Sequence, residues 1–106
     1  MKVNNSLAKT KDETLSSYLT KDAIKSRINK MVGGADGQRF ITAIVSATSV
    51  NPELQKCDNS SILSAALLGE ALKLSPSPQL GQYYMVPYED RKRGCKVAQF
   101  QLGLTI

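Results

Sequence analysis

Four cations, Arg91, Lys92, Arg93 and Lys96, stand within six residues of one another, with Tyr83, Tyr84 and Tyr88 before them and Gln99 and Gln101 after. Together these residue types suit a sequence-tolerant grip on a polyanion. Cations neutralise phosphates, aromatic planes accept stacked bases, and amides hydrogen-bond to base edges or backbone. Charge alone would equally suit a solvated hairpin tip; the neighbouring tyrosines and glutamines favour the binding reading. Catalytic alternatives are poorly supplied. The chain has no histidine, and its two cysteines, Cys57 and Cys95, are too far apart in sequence to form a zinc motif or a nucleophile with its base. Glu89 and Asp90 are adjacent, so on a strand or exposed loop they diverge and cannot share a proton. The run Gly33-Gly34-Ala35-Asp36-Gly37 has neither P-loop nor Rossmann spacing and is expected to be a connector. No cofactor or metal is expected, and any action on nucleic acid would proceed by binding rather than by catalysis.

The positioning elements follow from periodicity. Gln82 to Tyr88 is rich in aromatic and β-branched residues and reads as a strand, with Pro87 placing it at an edge or turn. From Val97 the alternation is regular: Ala98, Phe100, Leu102 and Leu104 fall on one face, and Val97, Gln99 and Gln101 on the other. A hairpin with a basic loop over Glu89 to Gly94 results. Tyr83 and Tyr84 must point to opposite sides, and the sequence leaves open which of them faces outward.

Ahead of the hairpin, three helices are expected. Ile24, Ile28 and Met31 mark an amphipathic helix over Thr20 to Val32, stopped by Gly33-Gly34 and flanked by Lys21, Lys25, Arg27 and Lys30. Ile41, Ile44, Val45 and Thr48 mark a second, over Gln38 to Val50. Pro52 opens a short turn through Gln55. A third, more buried helix begins with Asp58 or Ser60 as N-cap and carries Ile62, Leu63, Ala66, Leu67, Ala71, Leu72 and Leu74. Ser75-Pro76-Ser77-Pro78 then forms an extended connector. The fold class is α+β, a three-helix segment followed by a β-hairpin. Residues 1–13 are polar, lysine-rich and aperiodic and are expected to be a disordered basic leader; residues 14–106 are expected to be one domain at most.

The net charge of +5 is divided unevenly: +4 over residues 1–30, −3 over 31–90 and +4 over 91–106. Basic ends around an acidic middle suit a protein whose ends meet an anion. No apolar run approaches the roughly 18 residues that span a bilayer, and the first residues lack the apolar core of a signal peptide, so a cytosolic protein with reduced thiols and no membrane partner is expected.

Several stretches resemble one family in order and spacing. Asn51-Pro52-Glu53-Leu54-Gln55-Lys56-Cys57-Asp58, Ser61-Ile62-Leu63-Ser64-Ala65-Ala66, Ala71-Leu72-Lys73-Leu74, Leu80-Gly81, Val86-Pro87-Tyr88 and Ala98-Gln99-Phe100-Gln101-Leu102-Gly103 are similar to the N-terminal half of the RecT family of phage single-strand annealing proteins, over about Ile24 to Gly103. The resemblance implies a protein of the bacterial host cytoplasm that coats single-stranded DNA and anneals complementary strands without ATP. It also implies a homo-oligomer acting beside a phage exonuclease and a single-strand-binding protein. Where the family continues Tyr-Lys-Gly and further strands, Gly103 is followed by Leu104, Thr105 and Ile106; the segment Glu89 to Val97 is also longer than in relatives. An unpaired edge on the last strand is therefore expected to favour self-association. The nucleic-acid-binding residues expected are Arg91, Lys92, Arg93 and Lys96 on phosphates, Tyr88 stacking, and Gln99 and Gln101 lining the groove. The alternative is an inactive remnant or an oligomerisation fragment that binds no DNA.

Overall fold

The computed structural model describes residues 13–103 and has the expected α+β class. The leader expected over 1–13 lies outside the described residues except for Glu13, as does the inward position expected for Leu104. In chain order the elements are α1 (Leu15–Leu19), α2 (Asp22–Val32), α3 (Gly34–Ser49), α4 (Pro52–Gln55) and α5 (Asn59–Ala71). A short 3-10 turn (Pro78–Leu80) leads into β1 (Tyr83–Asp90) and β2 (Cys95–Leu102).

Periodicity missed α1, whose five residues are too few to repeat. Thr14 caps it, its hydroxyl accepting from Ser17 N at 3.1 Å, and Leu19 is fully buried. So short a helix is held by packing rather than by propensity. In α2 the buried row runs Ile24, Ile28, Val32; Met31, expected on that stripe, is 52% exposed. The glycine run also departs from expectation. Only Gly33, at φ 87°, separates α2 from α3, and Gly34 to Gly37 already belong to the first turns of α3. Gly37 is buried against the Asn29 side chain, where a Cβ would overlap it, so that glycine permits a close helix crossing.

Helix α5 is central. Asp58 is its N-cap, its side chain accepting from Ser61 N at 3.2 Å, and Ile62, Leu63, Ala65, Ala66 and Leu67 are buried where α1, α2 and the hairpin pack on this helix. Its apolar residues surround the helix, as in an element covered on several sides. The two strands pair antiparallel with Tyr83 opposite Leu102, Met85 opposite Phe100, and Asp90 opposite Cys95. Gly103 N donates to Gln82 O at 2.9 Å, which by alternation turns the amides of Tyr84, Val86 and Tyr88 toward β2. Pro87 thereby occupies a position whose amide would face the outer edge, where its missing N–H costs no ladder bond.

The inner face of the hairpin lies on α5. Tyr83 (1% exposed) stacks on Phe100 with ring centroids 5.0 Å apart. Gly69 makes this packing possible, because a Cβ there would fall within the Tyr83 ring. The outer edge of β2 is partly closed by the chain leading into α5: Asp58 N donates to Lys96 O at 2.8 Å and Ala98 N donates to Ser61 Oγ at 2.8 Å. Past Ala98 no such tie is present among the described residues.

Candidate nucleic-acid interface

Opposite the inner face, the strand parity collects Tyr84, Val86 and Tyr88 from β1 with Val97, Gln99 and Gln101 from β2. Tyr84 stands directly across from Gln101, Val86 from Gln99, and Tyr88 from Val97. Tyr88 is 53% and Tyr84 43% exposed. The two rings are mounted about 13 Å apart along the strand, at roughly 3.3 Å per residue. Tyr88, Gln99 and Gln101 are thus brought together, and Tyr84 is the outward member of the tyrosine pair. Its signal was present in the sequence: Tyr84 shares parity with Tyr88, so the two must share a face. Val86 joins them by the same parity.

The four cations are divided. Arg91, Lys92, Arg93 and Gly94 form the turn between the strands, and Asp90 organises it. The Asp90 Oδ1 atom accepts from Lys92 N (3.1 Å) and Arg93 N (3.2 Å), and Gly94 N donates to Asp90 O (2.9 Å). Gly94 adopts φ 72°, a left-handed conformation that closes such turns at little cost to glycine. Arg91 and Lys92 are exposed, with no carboxylate within ion-pair distance among the described residues. Arg93 and Lys96 are instead tied to the helices. Arg93 Nη2 lies 3.4 Å from Asp58 Oδ2, and Lys96 Nζ lies 3.2 Å from Glu53 Oε1. Lys96 falls on the inner side of β2, across from Glu89. The Lys96 ammonium, through its hydrogen bond and then with the charge of Lys56, holds the Glu53 carboxyl below the usual carboxylate range; Glu53 in turn raises Lys96.

The carboxylates have no catalytic disposition. Asp90 is engaged by the turn amides, and Glu89 faces the other side of the sheet. Burial pushes the Tyr83 phenol up to about 12, so it remains a neutral core group at ordinary pH. Burial also raises the Cys57 thiol, which keeps it protonated. Among the described residues no group of three or more histidines, cysteines, aspartates or glutamates is placed to hold a metal, and no helix is long and apolar enough to cross a membrane.

The RecT family model matches residues 38–105, which comprise three quarters of α3, the whole of α4 and α5, and the hairpin. The chain belongs to the RecT family. The family match begins later than the resemblance over Ile24 to Gly103, leaving α1 and α2 outside it. A curated relative, YqaK of Bacillus subtilis (strain 168), is 31% identical over 90 residues. That alignment covers 85% of this chain but 29% of YqaK. No solved structure matches. RecT proteins anneal single strands in phage-type recombination and are not catalysts in the ordinary sense. The part of this chain that carries the RecT match is also the part that builds and supports the outward face with Tyr84, Tyr88, Gln99 and Gln101.

Proposed function

We propose that the outer face of the hairpin binds single-stranded DNA and that the chain takes part in ATP-independent strand annealing in phage-type recombination. The observation that carries this reading is the gathering of two exposed tyrosines and two exposed glutamines on one side of the sheet, ending at the uncompensated Arg91 and Lys92. Stacking on tyrosine tolerates any base, and the loop cations supply charge without base readout. Arg93 and Lys96 contribute when they exchange Asp58 and Glu53 for phosphate. Other copies of the chain, a phage exonuclease and a single-strand-binding protein, met in the bacterial cytoplasm, belong to the same proposal.

Fluorescence anisotropy with a labelled single-stranded oligonucleotide at low salt tests it. Binding that weakens with salt, and that falls about tenfold or more in a Tyr84→Ala/Tyr88→Ala variant, is the expected result at about 1–3 kcal/mol per stacked base. Absence of binding at low salt would remove the reading.

One observation favours a second reading. Beyond Ala98 the outer edge of β2 is open among the described residues, and Leu102 there is 50% exposed, as suits a strand that pairs with another chain. Sedimentation showing assemblies indifferent to DNA, together with no oligonucleotide binding, would select this oligomerisation role.

A further inference from the structure

At the Tyr84 end of the outer face, the sheet borders a cavity of about 220 Å³. Its walls are Ala47 of α3 and Val50 at its end, Asn51, Leu54 of α4, Pro76 of the connector, and Tyr84 with Met85 of β1. This volume is below the usual range of drug-sized pockets, roughly 300–1,000 Å³, and suits a single planar ring system. Among the described residues no charged side chain lines it. A phosphate would therefore find no counter-charge there, whereas the uncharged face of a base would meet apolar walls and an aromatic edge. Val50 is 70% exposed at the rim, an apolar surface that gains by being covered. The Asn51 Oδ1 atom already accepts from Glu53 N at 3.1 Å, which leaves the amide N–H donors of Asn51 for an acceptor on a base edge. A larger cavity of about 620 Å³ shares Ala47 and Val50 with the first and is lined by Ser46, Ser49, Ser75 and Ser77, again without charge. The cations lie at the opposite end of the hairpin, beyond Tyr88.

Resting on the single-stranded DNA reading above, we propose that the cavity between Val50, Pro76 and Tyr84 is a base slot, which receives one unstacked nucleobase of the bound strand. The strand then runs with its phosphates toward the Arg91–Lys92 turn and one base withdrawn beside Tyr84. The slot fixes where along the strand the protein sits without reading sequence, since its walls offer contact area and few directional groups.

The experiment compares a labelled oligonucleotide with one of equal length carrying abasic sites, each bound by the full chain and by a Val50→Asn/Pro76→Ser variant. Both substitutions are uncharged, and circular dichroism verifies the fold of the variant. The wild-type chain is expected to prefer the intact strand. The variant should lose about fivefold or more in affinity for that strand, the lower end of what one stacked base contributes, and little for the abasic one, with its salt slope unchanged. An unchanged ratio of intact to abasic affinity, with salt-dependent binding preserved, overturns the slot and leaves the hairpin reading standing. Loss of self-association in the variant without change in DNA affinity assigns the cavity to a second copy and likewise overturns the slot. No binding by the wild-type chain at low salt overturns both.

Discussion

Removing Arg91 and Lys92 should change the salt dependence of DNA binding far more than removing Arg93 and Lys96, although all four belong to one basic cluster. Each phosphate neutralised on a single strand contributes a slope of roughly −0.7 in log K against log salt, so four free cations would give about −2.8. Arg93 lies 3.4 Å from Asp58 and Lys96 lies 3.2 Å from Glu53, so each already has a counter-charge within the chain. The two free cations account for about −1.4, and a fourfold rise in salt then weakens their share of binding about sevenfold. The Arg91→Ala/Lys92→Ala variant should lose that amount of slope. Its turn should survive, because Asp90 holds the loop through backbone amides. The Arg93→Ala/Lys96→Ala variant should lose clearly less slope, while removing the ion pairs to Asp58 and Glu53 and slightly lowering the melting temperature; the bonds at Lys96 O and Ala98 N still hold the hairpin to the start of α5. Anisotropy titrations at several salt concentrations measure all three proteins. Equal slopes for the two variants, or a larger change on removing Arg93 and Lys96, would refute the division of the cluster.

Three further outcomes follow from the packing and the ionisable groups. Gly69→Ala places a Cβ in the Tyr83 ring and should destabilise the fold by about 1–3 kcal/mol in urea unfolding, outweighing the roughly 1 kcal/mol that alanine gains in helix propensity; a more stable variant would contradict the contact. Tyr83, at about 12 against an ordinary 10.0, has a folded-state value above its unfolded one. Its contribution is fully present below pH 10 and lost as pH rises toward 12, so alkaline unfolding in that window should be blunted in Tyr83→Phe, as followed by circular dichroism. Glu53 has the opposite sign: its carboxyl is held below the ordinary 4.5, so its contribution is present above that value and lost as pH falls through the lower folded value. Glu53→Gln should flatten the acid limb of the melting-temperature profile, and an unaltered limb would show that the Lys96 contact adds nothing.

The hairpin was the most legible part of the chain, because the period of two turns Ala98 and Phe100 inward, although Leu102 on the same parity is half exposed and Val97 on the opposite parity is buried. With β2 oriented, the register that sets Tyr84 opposite Gln101 places Tyr84 outward. The helical run was legible where apolar spacing was long, in α3 and α5, and failed where local composition misled. Gly34 to Gly37 look like a loop, yet one of these glycines serves a close helix crossing. Helix α1 shows no repeat because it is a single turn held by Leu19 and the Thr14 cap. The cavity at Tyr84 was beyond reach, since Val50, Pro76 and Tyr84 meet only after the connector folds back across the end of α3.

Charge was the most misleading quantity, and the reason bears on function. Counted along the chain, the acidic middle and the basic end look like separate territories, and the end alone seems to offer four cations to a polyanion. Folding brings Glu53 and Asp58 from that middle beneath Lys96 and Arg93, so part of the basic end is neutralised before any ligand arrives. What remains exposed on the candidate face is chiefly aromatic and amide, with Arg91 and Lys92 at one end. On the proposed single-stranded DNA reading, a surface of that composition gains affinity from base contact more than from counterion release, so binding should persist to higher salt than four free cations would allow.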